Sequence, residues 1–209
     1  MSLRIQAFTI RSTSVPCSSA TLRRNAAASG SRYLSRLNSA KFRKLWPSQA
    51  HVLAEYAANF AAKRDVAVEL PTGAGKTLIA LLIAGAWLEA GKTVAILSAN
   101  KTLARQMAGE AGELGIPVAY MEGRGEDIPV THLRSYQRAR GVGIMNYWVY
   151  FNQNPVVDPA DVLVMDDAHL AEHCLHSAKL RARRRGTETR QTAPNELPPA
   201  SRTCDRCPV

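Results

Sequence analysis

Leu70-Pro71-Thr72-Gly73-Ala74-Gly75-Lys76-Thr77 stands between the β-branched run Val66 to Leu70 and the apolar stretch Leu78 to Leu88. The run reads as a buried strand, and Lys76 to Ala90 reads as a helix with Gly91 as its stop. A glycine-rich turn between a strand and a helix is the context in which a phosphate-binding loop makes physical sense. Glycines at 73 and 75 let the backbone turn its N–H groups inward around an anion, and the helix that follows adds its positive dipole end. Lys76 is placed to reach β and γ phosphates, and the Thr77 hydroxyl to ligate Mg²⁺. Leu70 occupies the position of the first glycine in the general Gly-x-x-x-x-Gly-Lys-Thr pattern.

Outward from this loop, short β-branched runs alternate with helical stretches. Strands are expected at Thr93 to Ser98, Pro117 to Met121, Val142 to Met145 and Asp161 to Met165, with a helix at Lys101 to Leu114. That alternation specifies an α/β fold: a mostly parallel sheet with helices on both faces. The helix Leu78 to Leu88 is apolar nearly all round, as a helix packed between sheet and neighbour would be. The strand ending at Met165 runs into Asp166 and Asp167, about 90 residues beyond Lys76. A carboxylate at the end of a neighbouring strand is what a phosphate loop needs to hold its metal, so Asp166 is the expected partner of Thr77 on Mg²⁺. Asp167 beside it can orient or deprotonate an attacking water.

The chain has 209 residues, 27 Lys plus Arg and 17 Asp plus Glu, for a formal net charge of +10. The basicity belongs to the ends. Residues 1–54 contribute +9 and residues 175–209 contribute +5, which leaves Glu55 to Cys174 at −4. The first forty residues are rich in Ser, Ala and Arg, a composition shared by organelle transit peptides and by basic disordered extensions; the second reading is adopted. Residues 179–209, with the Arg183 to Arg185 run and the Pro194 to Pro199 segment, read as a second disordered basic tail. The folded domain is then expected over 41–178. The longest apolar run is about 11 residues against the roughly 20 that a membrane span needs, and the four cysteines form no staple pattern. A soluble, cytoplasmic protein with no membrane partner is expected, with organelle targeting by the N-terminal extension left open as the alternative.

These motifs resemble a known set, the superfamily 2 helicases of the DEAD/DEAH-box type. Leu70 to Thr77 is similar to the family's motif I, which dispenses with the first glycine. Asp166-Asp167-Ala168-His169 resembles motif II, the DEAH box, and Ser98-Ala99-Asn100-Lys101-Thr102-Leu103-Ala104-Arg105-Gln106 resembles motif Ia. Leu45-Trp46-Pro47-Ser48-Gln49 resembles the segment that reads adenine, with Gln49 as the contact. The resemblance implies a RecA-like domain, the first of two that a helicase uses. It implies ATP on Pro71, Thr72, Gly73, Ala74, Gly75, Lys76 and Thr77, with Lys76, Asp166 and Asp167 as the catalytic residues. Single-stranded DNA or RNA would run across Ser98, Asn100, Lys101 and Arg105. Where the family has a catalytic Glu, Asp167 is one methylene shorter.

The sequence shows no Ser/Thr-Ala-Thr motif after motif II and no second domain. An arginine finger is worth about 10³ to 10⁵ in rate, so the chain reads as the truncated N-terminal half of a helicase. It is expected to turn over ATP only when completed, by a second RecA-like domain in trans or in a longer chain. Two alternatives are a non-catalytic, nucleotide-dependent nucleic-acid-binding module and a P-loop ATPase motor not acting on nucleic acid. The aromatic run Asn146 to Phe151 could stack unpaired bases but reads as core. His169, His173, Cys174 and His176 lack a second ligand pair for zinc, Cys204 and Cys207 have half a zinc spacing, and Gly141-Val142-Gly143 lacks the third glycine of a dinucleotide loop.

Overall fold

The computed structural model describes residues 5–12, 44–123, 125–152 and 156–167. Expectations for His169, the remaining His/Cys group, Cys204, Cys207, the 179–209 tail and most of the 1–40 extension lie outside these residues. Five of the strands stand where the β-branched runs predict them: β2 (Asp65–Pro71), β3 (Val94–Ser98), β4 (Val118–Tyr120), β5 (Val142–Asn146) and β6 (Val162–Asp166). Two helices match their expected spans to within a residue, α2 (Lys76–Glu89) and α3 (Lys101–Leu114). Three more α-helices are α1 (Pro47–Glu55), which runs on into a π-helical turn over Tyr56–Phe60, α4 (Val130–Gln137) and the four-residue α5 (Tyr147–Tyr150), and a 3-10 turn lies at Gly125–Asp127.

The first strand is a correction. Ile5–Ser12, inside the stretch expected to be a disordered extension, forms β1. The sheet order is β2-β1-β6-β3-β5-β4, with β6, β3, β5 and β4 mutually parallel and β1 antiparallel to both its neighbours. By occupying that slot, β1 pairs the backbone groups on the facing sides of β2 and β6, which would otherwise be left open in the middle of the sheet. The gain comes from partners some 60 and 155 residues away in sequence, Ile10 opposite Val66 and Val164, so local composition does not disclose it.

Strand periodicity sorts the sheet's side chains onto two covered faces. Val94, Ile96, Val142, Ile144, Val162 and Val164 join a core with α1, α2 and α3. Ala95, Leu97, Met145, Leu163 and Met165 join a second core with α4 and α5, where Tyr136 and Tyr147 are fully buried. Every residue of β3 and β5 is buried, as parallel strands covered on both faces require. In α2 every residue from Leu78 to Trp87 is buried, whereas α3 buries only Ala104, Met107, Ala111 and Leu114, at helical spacing. Asp161 and Thr93, both expected to open strands, lie one residue before them and lock the starts of β6 and β3 together. The Thr93 N–H and hydroxyl donate to Asp161 Oδ2 at 3.0 Å, and the Asp161 N–H donates to Thr93 Oγ1 at 2.9 Å.

Candidate nucleotide site

The ends of β2 and β6 place the expected phosphate loop and the expected metal carboxylate on the same edge of the sheet. Gly73 and Gly75 have φ of +83° and +78°, left-handed conformations that non-glycine residues adopt at a cost. A Cβ at Gly73 would meet nothing within 4 Å, so the loop is open on that side. Gly75 is the N-cap of α2, and no side chain caps the first turn. A glycine N-cap puts no side chain between a ligand and the helix start, and the positive end of the helix dipole there favours an anion. Lys76 and Thr77 begin α2 and are half-buried.

Asp166 is the last residue of β6, and β1 separates it from β2. Two strand spacings, roughly 10 Å, therefore lie between the two strand ends. Burial raises the Asp166 carboxyl above its ordinary range, and the neighbouring Asp167 adds to the rise. Lys76 and a main-chain hydrogen bond from Asp167 oppose it. Asp167 turns the chain at φ +50°, a left-handed conformation several-fold enriched in Asp yet uncommon in non-glycine residues. Its Oδ1 is the one buried side-chain polar atom among the described residues with no hydrogen-bond partner. Buried polar oxygens are ordinarily paired, so an orphan beside a metal-competent carboxylate suits a site that takes water or an ion.

Gln49 reaches the phosphate loop by a route the sequence does not disclose. At the third position of α1, its Oε1 accepts from the Trp46 N–H at 3.0 Å while its Nε2 donates to the Ala74 carbonyl at 3.0 Å. The side chain is buried, and both ends of its amide are engaged within the protein. It braces the loop from beneath, so closely that a Cβ at Gly75 would lie 2.3 Å from Nε2. Pro at the first helical position and Gln at the third are a capping signature legible in sequence.

The residues expected to meet nucleic acid divide into two kinds. Ser98 is fully buried and its hydroxyl donates to the Asn100 carbonyl at 3.0 Å, while Asn100 Oδ1 caps α3 by accepting from the Leu103 N–H at 2.9 Å. These two shape the loop. Lys101 and Arg105 are exposed, and both pair with Glu122, at 3.6 and 2.9 Å. Tyr120 also donates to Glu122, at 2.5 Å. The Tyr120 hydrogen bond first, and Arg105 second, hold the Glu122 carboxyl below the ordinary range. Glu122 is a functional candidate that sequence reasoning misses, because nothing local marks its pairing with residues 17 and 21 positions upstream.

Residues 46–193 match the DEAD/DEAH box helicase family. The match covers more than half of the chain and takes in Gln49, the phosphate loop, the Asn100 loop and the Asp166-Asp167 pair. The chain belongs to the DEAD/DEAH box helicase family. Its RecA-like fold follows from that membership and from the parallel strands flanked by helices. No curated protein and no solved structure matches the chain. As a helicase-family domain it is associated with ATP and nucleic acid, and no helix among the described residues is long and apolar enough to cross a membrane.

Proposed function

We propose that this domain binds Mg²⁺·ATP on the phosphate loop and Asp166, and single-stranded DNA or RNA along the edge that carries Lys101 and Arg105. It hydrolyses ATP when a second RecA-like domain completes the site. The observation that carries the reading is the placement of the uncapped start of α2 and the Asp166-Asp167 pair on one sheet edge, with an orphaned buried oxygen on Asp167.

The donor set fits Mg²⁺. Among the described residues no group of three or more His, Cys, Asp and Glu gathers as a metal cage, and Mg²⁺ in phosphate chemistry is held by one or two protein oxygens with phosphates and water. Thr77 and Asp166 supply those oxygens, and the ion supplies charge neutralisation at the β and γ phosphates. Main-chain N–H groups of the loop and helix start cradle the phosphates, except that of Ala74, which donates to the Pro71 carbonyl, and Lys76 adds a positive charge where negative charge gathers during transfer. Asp167 accepts a hydrogen bond from the attacking water and orients it; its strained backbone is of the kind found at such positions. Gln49, held between Trp46 and Ala74, keeps the loop in its binding shape before ATP arrives.

Calorimetric titration with Mg²⁺·ATP, alongside turnover assays with and without single-stranded DNA or RNA, tests this reading. Lys76→Ala is expected to abolish ATP binding and leave the fold intact. Unchanged ATP affinity in that variant overturns the assignment.

A further inference from the structure

The aromatic run that reads as core in the sequence is core at all but one position. Tyr147 and Val149 are buried, Tyr150 and Phe151 are half-buried, and Trp148 between them is 51% exposed. Leaving half of an indole in water forgoes much of the burial that makes Trp valuable to a fold. Its backbone is nonetheless held firmly. Asn146 Oδ1 caps α5 by accepting from the Val149 N–H at 3.0 Å, and the Tyr150 hydroxyl accepts from the Ala160 N–H at 2.9 Å. Phe151 stacks on Tyr147 and meets Tyr150 edge to face. The indole thus projects from a short helix locked to the second core.

Trp148 lines a cavity of about 600 Å³ shared with Lys101, Asp127, Asn146 and Asn152. That volume lies within the range of small-ligand sites. The cavity opens at the carboxyl ends of β3 and β5, where open parallel sheets bind ligands. It is separate from the phosphate loop, which lies at β2, beyond β1 and β6. Its chemistry is that of a nucleotide pocket without a triphosphate site: one aromatic face, one ammonium, two carboxamides and one carboxylate. Lys101 belongs both to this cavity and to the edge assigned above to nucleic acid. A strand whose phosphate meets Lys101 thus has a base within reach of the cavity.

We propose that Trp148 is a base-stacking platform, and that the cavity takes one unpaired base of a single strand whose backbone phosphate is met by Lys101. The indole supplies the sequence-tolerant face that any base can use. Asp127, Asn146 and Asn152 give the cavity a polar lining, with Asn146 Oδ1 already spent on the Val149 N–H, so the stacking face carries the contact. The phosphate takes the place of Glu122 on Lys101. This subsite rests on the nucleic-acid reading proposed above and refines it from a charged edge to a defined contact.

The test uses the full chain and two labelled strands, an oligothymidylate and the same strand with abasic residues. Affinities are read by fluorescence anisotropy for wild type, Trp148→Ala and Trp148→Phe. Stacking is expected to make Trp148→Ala about 5- to 150-fold weaker on the intact strand. Trp148→Phe should recover most of that loss, and all three proteins should bind the abasic strand alike. Wild-type affinity of Trp148→Ala for the intact strand overturns the subsite and leaves the nucleic-acid reading standing. An equal loss on both strands assigns Trp148 a structural effect and likewise overturns it. Failure of the wild type to bind either strand overturns the nucleic-acid reading and the subsite together.

Discussion

The Tyr147 hydroxyl donates to the main-chain carbonyl of Asp166, across the second core. One residue of α5 thereby fixes the end of the strand that carries the expected metal carboxylate, and the next residue, Trp148, lines the proposed base pocket. The two sites share a rigid connection that neither motif reveals alone. Tyr147→Phe removes the hydroxyl and keeps the buried ring, so packing is preserved and one carbonyl loses its partner. A loss of about 1 kcal/mol is expected, which in a domain of this size lowers Tm by about 2–4 °C. Thermal unfolding measures it, and an unchanged Tm would mean that water replaces the hydroxyl without cost.

Asp166 sets a conflict between stability and binding. Burial, and then Asp167, raise its carboxyl above the ordinary range, with Lys76 opposing. A raised folded-state pKa means that the ionised form burdens the folded protein at neutral pH, and that the burden lifts as pH falls through that pKa. Asp166→Asn removes the buried charge, so the ligand-free variant is expected to melt at or above the wild-type temperature while losing Mg²⁺-dependent stabilisation by ATP. In the wild type, that stabilisation should fade on acidification with a midpoint above the ordinary Asp value of about 3.9. Thermal shift across pH, with and without Mg²⁺·ATP, checks both statements. A destabilised apo Asp166→Asn would show that the carboxylate is a net structural asset.

Glu122 occupies the two exposed cations that the nucleic-acid reading assigns to phosphates. A strand must displace it. Glu122→Gln keeps the shape and the capacity to accept from Tyr120 while removing the competing charge. Tighter binding of single strands is expected, with a salt dependence steeper by about 0.7 in log–log slope for each phosphate newly met. Affinity measured over a range of salt concentrations decides it, and weaker binding would mean that Glu122 positions Lys101 and Arg105 rather than masking them.

The parallel part of this fold is legible because each strand there is a self-contained β-branched run and each helix carries its own stop or cap, such as Gly91, Asn100 and Gly115. The phosphate loop is legible for the same reason, since its glycines, Lys76 and Thr77 are contiguous. What the sequence hides is whatever depends on distant partners. Ile5–Ser12 becomes a strand only because β2 and β6 offer it two edges, and its acid-free, Ser/Arg-rich surroundings argue for disorder. The orphaned oxygen of Asp167, the pairing of Glu122 and the exposure of Trp148 within an aromatic run are likewise products of assembly.

Gly75 and Gln49 offer the sharpest test of how the phosphate loop is supported. Gly75 holds φ +78°, and any Cβ there would lie 2.3 Å from Gln49 Nε2, an atom tied to the Ala74 carbonyl. Gly75→Ala therefore combines a left-handed backbone penalty of about 1–2 kcal/mol with expulsion of a buried, hydrogen-bonded side chain. Gln49→Ala alone loses both hydrogen bonds but leaves the glycine unstrained. In the double variant the clash has no second party and the hydrogen bonds are already gone, so only the backbone penalty is added to the loss from Gln49→Ala. The two substitutions are expected to be less than additive by about 0.5–3 kcal/mol in urea unfolding. Strict additivity would mean that Gln49 moves aside freely, and that the loop keeps its shape without the brace.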